Sequence, residues 1–207
     1  MSPDGKWVYI ADTSSRGNRP ALIVHDVEAN LARRVLGNST FVRADSFTPR
    51  INGEIAFDAV ATSLHVDSIG LDSVGEWLYF APVTKPHLYR IRTKDLHDAN
   101  LTPFALESKI EEYSKKTMSD GIILDAEGNI YLTDFEHSAI AVITPQKEVR
   151  TLVRDPTLLR YPDGLSLDVH GNLYISCSDL HRIVDNKHSK DAPFHLLKVP
   201  LPSTKQE

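Results

Sequence analysis

Three aspartates occupy the same position in a repeated sequence pattern, each directly ahead of a short apolar run. They are Asp67, Asp120 and Asp163, spaced 53 and 43 residues apart. Several carboxylates that converge on one point suit a hard cation such as Ca²⁺, which takes about 6–8 oxygen ligands. Without a metal, repulsion between like charges raises the pKa of one carboxyl group, which can then act as a general acid or base. We therefore predict Asp120 and Asp163 as catalytic residues or as ligands of Ca²⁺ or another divalent cation, and Asp67 as a ligand-binding residue; the alternative is that each aspartate only caps its own turn.

The pattern that carries these aspartates is a β-hairpin. After Asp120, the apolar run Ile122–Leu124 is followed by a turn at 125–128 with glycine at its end, and a second run begins at Ile130. Glycine suits a turn position with positive φ, and the flanking runs are rich in β-branched and aromatic residues. A period of about 40–50 residues holding four strands is typical of a propeller blade. The sequence therefore predicts an all-β fold, a β-propeller of four-stranded blades whose leading carboxylates share one axial tunnel.

The chain provides material for about four blades. We predict blades over residues 1–47, 65–117, 118–156 and 157–202, and a C-terminal tail over 203–207. The first blade lacks its inner strand, which would leave unpaired backbone groups beside the tunnel. We therefore expect an N-terminally truncated portion of a larger propeller, completed by missing N-terminal blades or by a second copy. Within the second blade, the spacing of Leu106, Ile110 and Tyr113 predicts an amphipathic helix over 106–116.

Further candidates lie near the predicted tunnel mouth. Glu136 and His137 directly follow the second strand of the third blade, and we predict them as ligand-binding residues at the rim. Tyr161 precedes Pro162-Asp163, where an aromatic ligand can stack, and it is predicted as a ligand contact too. The alternatives are a structural role for a lone histidine and core packing for the tyrosine.

Bulk composition excludes several classes of function. The net charge is −5 and the sequence has no long basic run, which argues against nucleic acid or an anionic membrane as the main partner. No apolar stretch reaches the ~18 residues of a membrane span. The first residues do not form a signal peptide, and there is no P-loop, GxGxxG, GxSxG or HExxH motif.

Several phrases, in order along the chain, resemble the Yellow/major royal jelly protein family, including members labelled L-dopachrome tautomerase-related. These phrases are Val8–Asp12, Ala21–Asp26, Tyr79–Pro82, Met118–Gly121, Asn129–Ile140 and Tyr161–Gly164. The resemblance covers about residues 2 to 199 and implies a six-bladed, usually secreted propeller, hence an extracellular or periplasmic location. It also implies a small aromatic or amine ligand in the tunnel, with dopachrome tautomerisation as the named activity. The chain departs from the family pattern in lacking roughly the first two blades and a signal peptide.

A more distant resemblance links the chain to the regucalcin/gluconolactonase propellers, which hold a divalent metal. Asp163 matches one metal ligand of that family, Asp120 stands where an asparagine ligand would be, and the glutamate ligand has no counterpart. This resemblance implies a metal-dependent lactone hydrolase as one alternative function. A binding or structural propeller without catalysis is the other.

Overall fold

The structure is a computed structural model that describes residues 1–14, 18–57, 64–190 and 193–202. The tail predicted over 203–207 lies outside the described residues. The first sheet is antiparallel and has three strands, β1 (Trp7–Asp12), β2 (Ala21–Asp26) and β3 (Leu31–Val35), in that order. In this sheet β1 is an edge strand that pairs with β2.

The second sheet follows a small hairpin made of β4 (Arg50–Ile51) and β5 (Glu54–Ile55). Its four strands, in order, are β6 (Val66–Leu71), β7 (Trp77–Pro82), β8 (His87–Arg92) and β9 (Glu111–Lys115). Two short helices, α1 (Thr93–His97) and α2 (Pro103–Glu107), connect β8 to β9.

The predicted helix over 106–116 is wrong. The helix α2 ends at Glu107, and the following residues form the outer strand β9, which pairs with β8. Within β9, Tyr113 is buried edge-on against Tyr79, while Glu111 and Glu112 are exposed. The apolar spacing that fits a helix also fits a strand with one buried residue, and pairing with β8 decides between them because it satisfies the backbone of residues 111–115.

The third and fourth sheets repeat the hairpin pattern. The third contains β10 (Ile122–Leu124), β11 (Ile130–Asp134), β12 (Ala139–Ile143) and β13 (Val149–Arg154). The fourth contains β14 (Pro162–Leu167), β15 (Asn172–Cys177) and β16 (His195–Pro200), with a short helix α3 (Leu180–Val184) before its last strand. In the described part of the chain the fourth sheet thus has three strands rather than four. None of the described helices is long and apolar enough to cross a membrane.

The sheets pack face to face in sequence, with an apolar cluster between each neighbouring pair. In β7, Leu78 and Phe80 face the first sheet whereas Tyr79 and Ala81 face the third. The third sheet packs in the same way against the fourth, where Tyr131 and its neighbours meet apolar residues of β15. This alternation follows from the period of two along a strand. The inner strands β6, β10 and β14 consequently lie side by side around one axis, which is the propeller arrangement.

A tight turn closes each hairpin at the end away from the leading aspartates. Asp125 accepts hydrogen bonds from the amides of Glu127 and Asn129, and Asp168 binds the amides of His170 and Asn172 in the same way. These backbone bonds, with the Asn172 side chain, lower the pKa of Asp168 to about 2. Turn formation is therefore a sufficient role for these aspartates.

Candidate functional site

The three leading aspartates meet at one end of the inner strands. Asp120 lies close enough to Asp163 and Asp67 for the charges of both to raise its pKa. The Asp67 side chain is exposed, Asp163 is half-buried and Asp120 is buried. The group therefore has an open face at Asp67 and Asp163, with Asp120 behind it; we call these three residues the carboxyl cluster.

Close contact between two inner strands positions the cluster. A Cβ atom added to Gly121 would lie 2.2 Å from the carbonyl oxygen of Asp163, so only glycine fits there. Strand register is also irregular where the other aspartates lie, between Val66 and Ile69 and between Pro162 and Leu165. Irregular pairing at the start of an inner strand redirects the side chains, in this case toward the axis.

Thr133 holds the backbone of Asp120 in place. Its hydroxyl oxygen accepts hydrogen bonds from the amides of Asp120, at 2.9 Å, and Gly121, at 2.8 Å. Ser176 has the equivalent place in the fourth sheet and accepts a bond from the amide of Gly164 at 3.0 Å. These hydroxyl groups replace the ladder bonds that are absent where the strand begins.

Asp120 is a carboxyl group with a strongly altered proton affinity. Burial, followed by the nearby charges of Asp163 and Asp67, raises its pKa to about 7. Burial and Asp67 also raise the pKa of Asp163. A carboxyl group with a pKa in this range changes its protonation state near neutral pH.

Tyr161 is part of the core and touches the cluster from behind. It is 0% exposed, and its hydroxyl donates a 2.9 Å hydrogen bond to Asp120. Its ring stacks between Phe135 and His181, with Phe57 edge-on. A ring enclosed in this way acts on a ligand only through the carboxyl group that it holds, so the core-packing alternative describes Tyr161 better than direct stacking does.

Glu136 and His137 form a rim on one side of the cluster. A side-chain oxygen of Glu136 accepts a 2.9 Å bond from the amide of Arg50 in the β4–β5 hairpin. His137 is largely exposed, and its Nδ1 lies 2.8 Å from the carboxylate of Asp134. Glu136 thus fastens the hairpin, while His137 stays accessible to solvent and to a ligand.

An apolar cap covers the loops beside the rim. It joins the insertion between the first two sheets to residues that follow or precede the inner hairpins, namely Ile51, Ala56, Phe57, Val83, Phe135 and Tyr161. The insertion between the first two sheets is therefore packed, in its described part, over the end of the molecule where the carboxyl cluster lies.

Lys116 is a site residue that sequence reasoning missed. It lies in the link between β9 and β10, is 6% exposed, and its Nζ donates hydrogen bonds to the carbonyls of Val83 and Thr117. Burial lowers its pKa to about 7, against the opposing attraction of Asp120 and Asp134. A lone lysine in a polar stretch has no sequence signal that separates it from a surface lysine such as Lys115.

The cluster as arranged does not fit a metal ion. Among the described residues, no group of three or more His, Cys, Asp or Glu side chains could hold one. One carboxyl oxygen of Asp120 already accepts the Tyr161 hydroxyl. A divalent cation at Asp120 and Asp163 stays a prediction from the sequence.

A groove lies away from the carboxyl cluster. It measures about 890 Å³ and runs between the third and fourth sheets at the turn end of the inner strands, beside Asp125 and Asp168. The carboxyl cluster is at the opposite end of these strands.

Comparisons with known proteins identify a family. The model of the family described as major royal jelly protein matches residues 2–205. No curated protein matches the chain in sequence. The resemblance stated from the sequence phrases is therefore confirmed by the family model.

Solved structures confirm the propeller fold. A gluconolactonase from Xanthomonas campestris shares 11% identity at a TM-score of 0.59, over 98% of this chain and 55% of that one. A luciferin-regenerating enzyme shares 11% sequence identity at a TM-score of 0.56, and the match covers 96% of this chain and 58% of that one. A chain of a nidogen/laminin complex shares 15% sequence identity at a TM-score of 0.55, and the match covers 82% of this chain and 52% of that one. The chain spans just over half the length of these structures, and identities this low establish the fold alone.

Proposed function

We propose a function from one premise: this chain belongs to the major royal jelly protein family, whose model covers it from residue 2 to residue 205. The proposal is that the carboxyl cluster binds a small aromatic amine at the axis of the propeller, and that Asp120 exchanges a proton with it. Dopachrome tautomerisation is the reaction to test first, because the family resemblance supplies it as the named activity.

The observation that carries the proposal is the grouping of Asp67, Asp120 and Asp163 around one point. Asp67 and Asp163 are reachable from solvent, and a charged amine is a natural partner for their carboxyl oxygens. Asp120 lies behind them and has a pKa of about 7, near the value that serves proton transfer best at neutral pH.

A tautomerisation needs one proton removed from carbon and one proton returned to oxygen. In its ionised form Asp120 can accept the first proton, and in its protonated form it can deliver the second, so one residue completes the cycle without net change. The Tyr161 hydroxyl fixes the orientation of the Asp120 carboxyl group during both steps.

The test is the decay of dopachrome with wild-type protein, with Asp120→Asn and with Glu148→Gln as a control. Asparagine keeps the size and the hydrogen bond to Tyr161 but cannot exchange a proton, so the rate above buffer should fall by about 10²–10⁴-fold. Glu148 is an exposed carboxylate at the opposite end of the third sheet, so its variant should match the wild type. A wild-type rate equal to that of buffer contradicts the catalytic part of the proposal.

A second candidate is a propeller that binds the amine without converting it. The favouring observation is that Asp120 is buried and one of its carboxyl oxygens already accepts the Tyr161 hydroxyl. Calorimetry with tyramine separates the two candidates: binding heat that disappears in Asp163→Asn, together with no dopachrome decay, identifies a binding protein. The lactone hydrolase lacks support because the described carboxyl groups do not form a metal site.

A further inference from the structure

Asp134 and His137 form a hydrogen-bonded pair that the proposed proton transfer does not use. The imidazole Nδ1 lies 2.8 and 3.0 Å from the two carboxyl oxygens of Asp134. An ionised carboxylate only accepts hydrogen bonds, so Nδ1 carries the proton and donates it. In this neutral tautomer the other ring nitrogen, Nε2, keeps its lone pair. The His137 side chain is 58% exposed, so small molecules in solvent can reach the ring.

Asp134 is bonded differently from the aspartate that occupies the equivalent place in the first sheet. Asp12 and Asp134 each end a strand and face an alanine of the next strand. Asp12 accepts the backbone amide of Ser14 at 3.0 Å and so closes its own turn. In the described part of the chain, the carboxyl oxygens of Asp134 are hydrogen-bonded to His137 alone, although Asp134 is only 4% exposed. Turn formation therefore does not account for this buried carboxylate.

Other contacts already hold the turn that carries His137. Phe135 is 0% exposed and packs in the apolar cap. Glu136 accepts the amide of Arg50, and the guanidinium of Arg154 donates a 2.9 Å bond to the carbonyl oxygen of His137. The backbone of the turn is thus fixed at three successive residues without the carboxylate behind it. What the carboxylate adds is a defined orientation and tautomer of the imidazole, as in a base that is oriented by a third group.

We propose that His137 is a nucleophile toward small activated esters and that Asp134 is its positioning residue. Nε2 attacks the acyl carbon, the bond from this carbon to the leaving oxygen breaks, and the phenol or alcohol departs as its anion. The acyl-imidazolium that forms keeps its Nδ1 proton in the bond to the Asp134 carboxylate, whose charge offsets the positive ring. Water then attacks the acyl group, which leaves a carboxylate, restores the neutral imidazole and passes two protons to solvent. This reaction does not depend on the proposed amine chemistry of the carboxyl cluster.

The first test is hydrolysis of 4-nitrophenyl acetate at pH 8, where an ordinary histidine is neutral. His137→Gln should lower the rate above buffer by about tenfold, because the nucleophile is gone. His170→Gln is the matched control: His170 is an exposed histidine of a hairpin turn, and this variant should keep the wild-type rate. A His137→Gln protein that keeps the wild-type rate overturns the proposal.

The second test labels the wild-type protein with a limiting amount of diethyl pyrocarbonate, which acylates neutral imidazole, and compares sites by peptide mass spectrometry. His137 should be labelled at least about tenfold faster than His170, because its lone pair is held in place. Equal rates at the two histidines overturn the proposal, and this measurement needs no variant to fold.

The role of Asp134 has its own readout in Asp134→Asn. Asparagine removes the charge that offsets the acyl-imidazolium, and its amide can donate to Nδ1 and so shift the ring proton to Nε2. The variant should therefore slow the labelling of His137 by about tenfold and leave that of His170 unchanged. A purely structural pair would leave the ratio of the two labelling rates as it is in the wild type, and that result contradicts the positioning role.

Discussion

At the residue scale, two buried ionisable groups, Asp120 and Lys116, predict an unusual dependence of stability on pH. The folded protein holds the Asp120 proton up to a pKa of about 7, whereas the unfolded chain releases it near the ordinary aspartate pKa of 3.8. The folded state thus binds more protons between these values, so the free energy of unfolding falls as the pH rises from about 4 to about 7. At about 1.4 kcal/mol per pKa unit, the loss is on the order of 4 kcal/mol.

Lys116 acts in the opposite direction above neutral pH. Its pKa is about 7 in the folded protein and about 10.5 for an ordinary lysine in the unfolded chain, so the unfolded chain binds more protons between these values. The free energy of unfolding should therefore rise again from about pH 7 toward pH 10. The measurement is urea unfolding at pH 5, 7 and 9. The free energy of unfolding of Asp120→Asn should exceed that of the wild type by the largest amount at pH 7 and above. For Lys116→Met, the largest increase over the wild type should occur at pH 7 and below. Variant-to-wild-type differences that are constant across this pH range would contradict both assignments.

Thr133 provides a second residue-scale prediction. Replacing it with valine keeps the shape but removes the oxygen that accepts from the amides of Asp120 and Gly121. Each buried amide left without a partner costs about 1–3 kcal/mol, so loss of both bonds in Thr133→Val should lower the free energy of unfolding by about 2–6 kcal/mol.

The matched comparison is Ser176→Ala, at the equivalent place in the fourth sheet. Its amide partner, Gly164, is only partly buried and can bind water instead, so the loss should stay below about 1 kcal/mol. Equal losses in the two variants, measured by urea unfolding, would show that burial of the amides does not set the cost.

The sequence allowed part of this site to be predicted. Asp67, Asp120 and Asp163 stand at one position of a repeat, and symmetry of the blades is enough to bring them together. Thr133 and Lys116 could not be found in this way, because their roles depend on which backbone groups are left unpaired and on how deeply a link between sheets is buried. Neither property is local to the sequence.

At the element scale, the same contrast separates hairpins from connections. Hairpin strands such as β2 and β12 begin and end at the residues that the apolar runs indicate, because turn chemistry and alternation are local signals. Strand β9 was missed because its partner β8 is about 20 residues away, across two short helices. Pairing over that distance overrides a local apolar spacing.

The packing of β10 against β14 gives an element-scale prediction. Gly121→Ala would place a Cβ atom 2.2 Å from the carbonyl oxygen of Asp163, so the two inner strands must move apart. Forced overpacking against backbone costs about 1–3 kcal/mol or more, and the separation should also weaken the coupling between Asp120 and Asp163.

Gly37→Ala is the control, since a Cβ atom there meets nothing within 4 Å. It should change the free energy of unfolding by less than about 0.5 kcal/mol. The contact between inner strands would be unimportant if both variants unfolded at the same urea concentration and bound tyramine equally.

At the scale of the whole molecule, the described sheets form an arc. The place of a sheet in this arc determines how much of the sheet is buried. The second and third sheets are covered on both faces, whereas the first and fourth have one described neighbour each. All five residues of β12 are buried, while β16 alternates between half-buried and exposed. Because each interface has its own apolar cluster, stability should be distributed unevenly along the arc.

Native-state hydrogen exchange provides the measurement. Amides of β11 and β12 should exchange only through global unfolding, whereas those of β2 and β16 should exchange at least about tenfold faster through local opening of the outer sheets.

Leu132→Ala, in the cluster between the second and third sheets, should lower the free energy of unfolding by about 2–5 kcal/mol and should accelerate exchange in β11 and β12. Leu197→Ala, in the partly exposed part of the last interface, should accelerate exchange in β16 while leaving β12 nearly unchanged. Uniform protection across all four sheets would instead mean that the arc unfolds as one unit, with its inner strands, rather than the separate clusters, setting the stability.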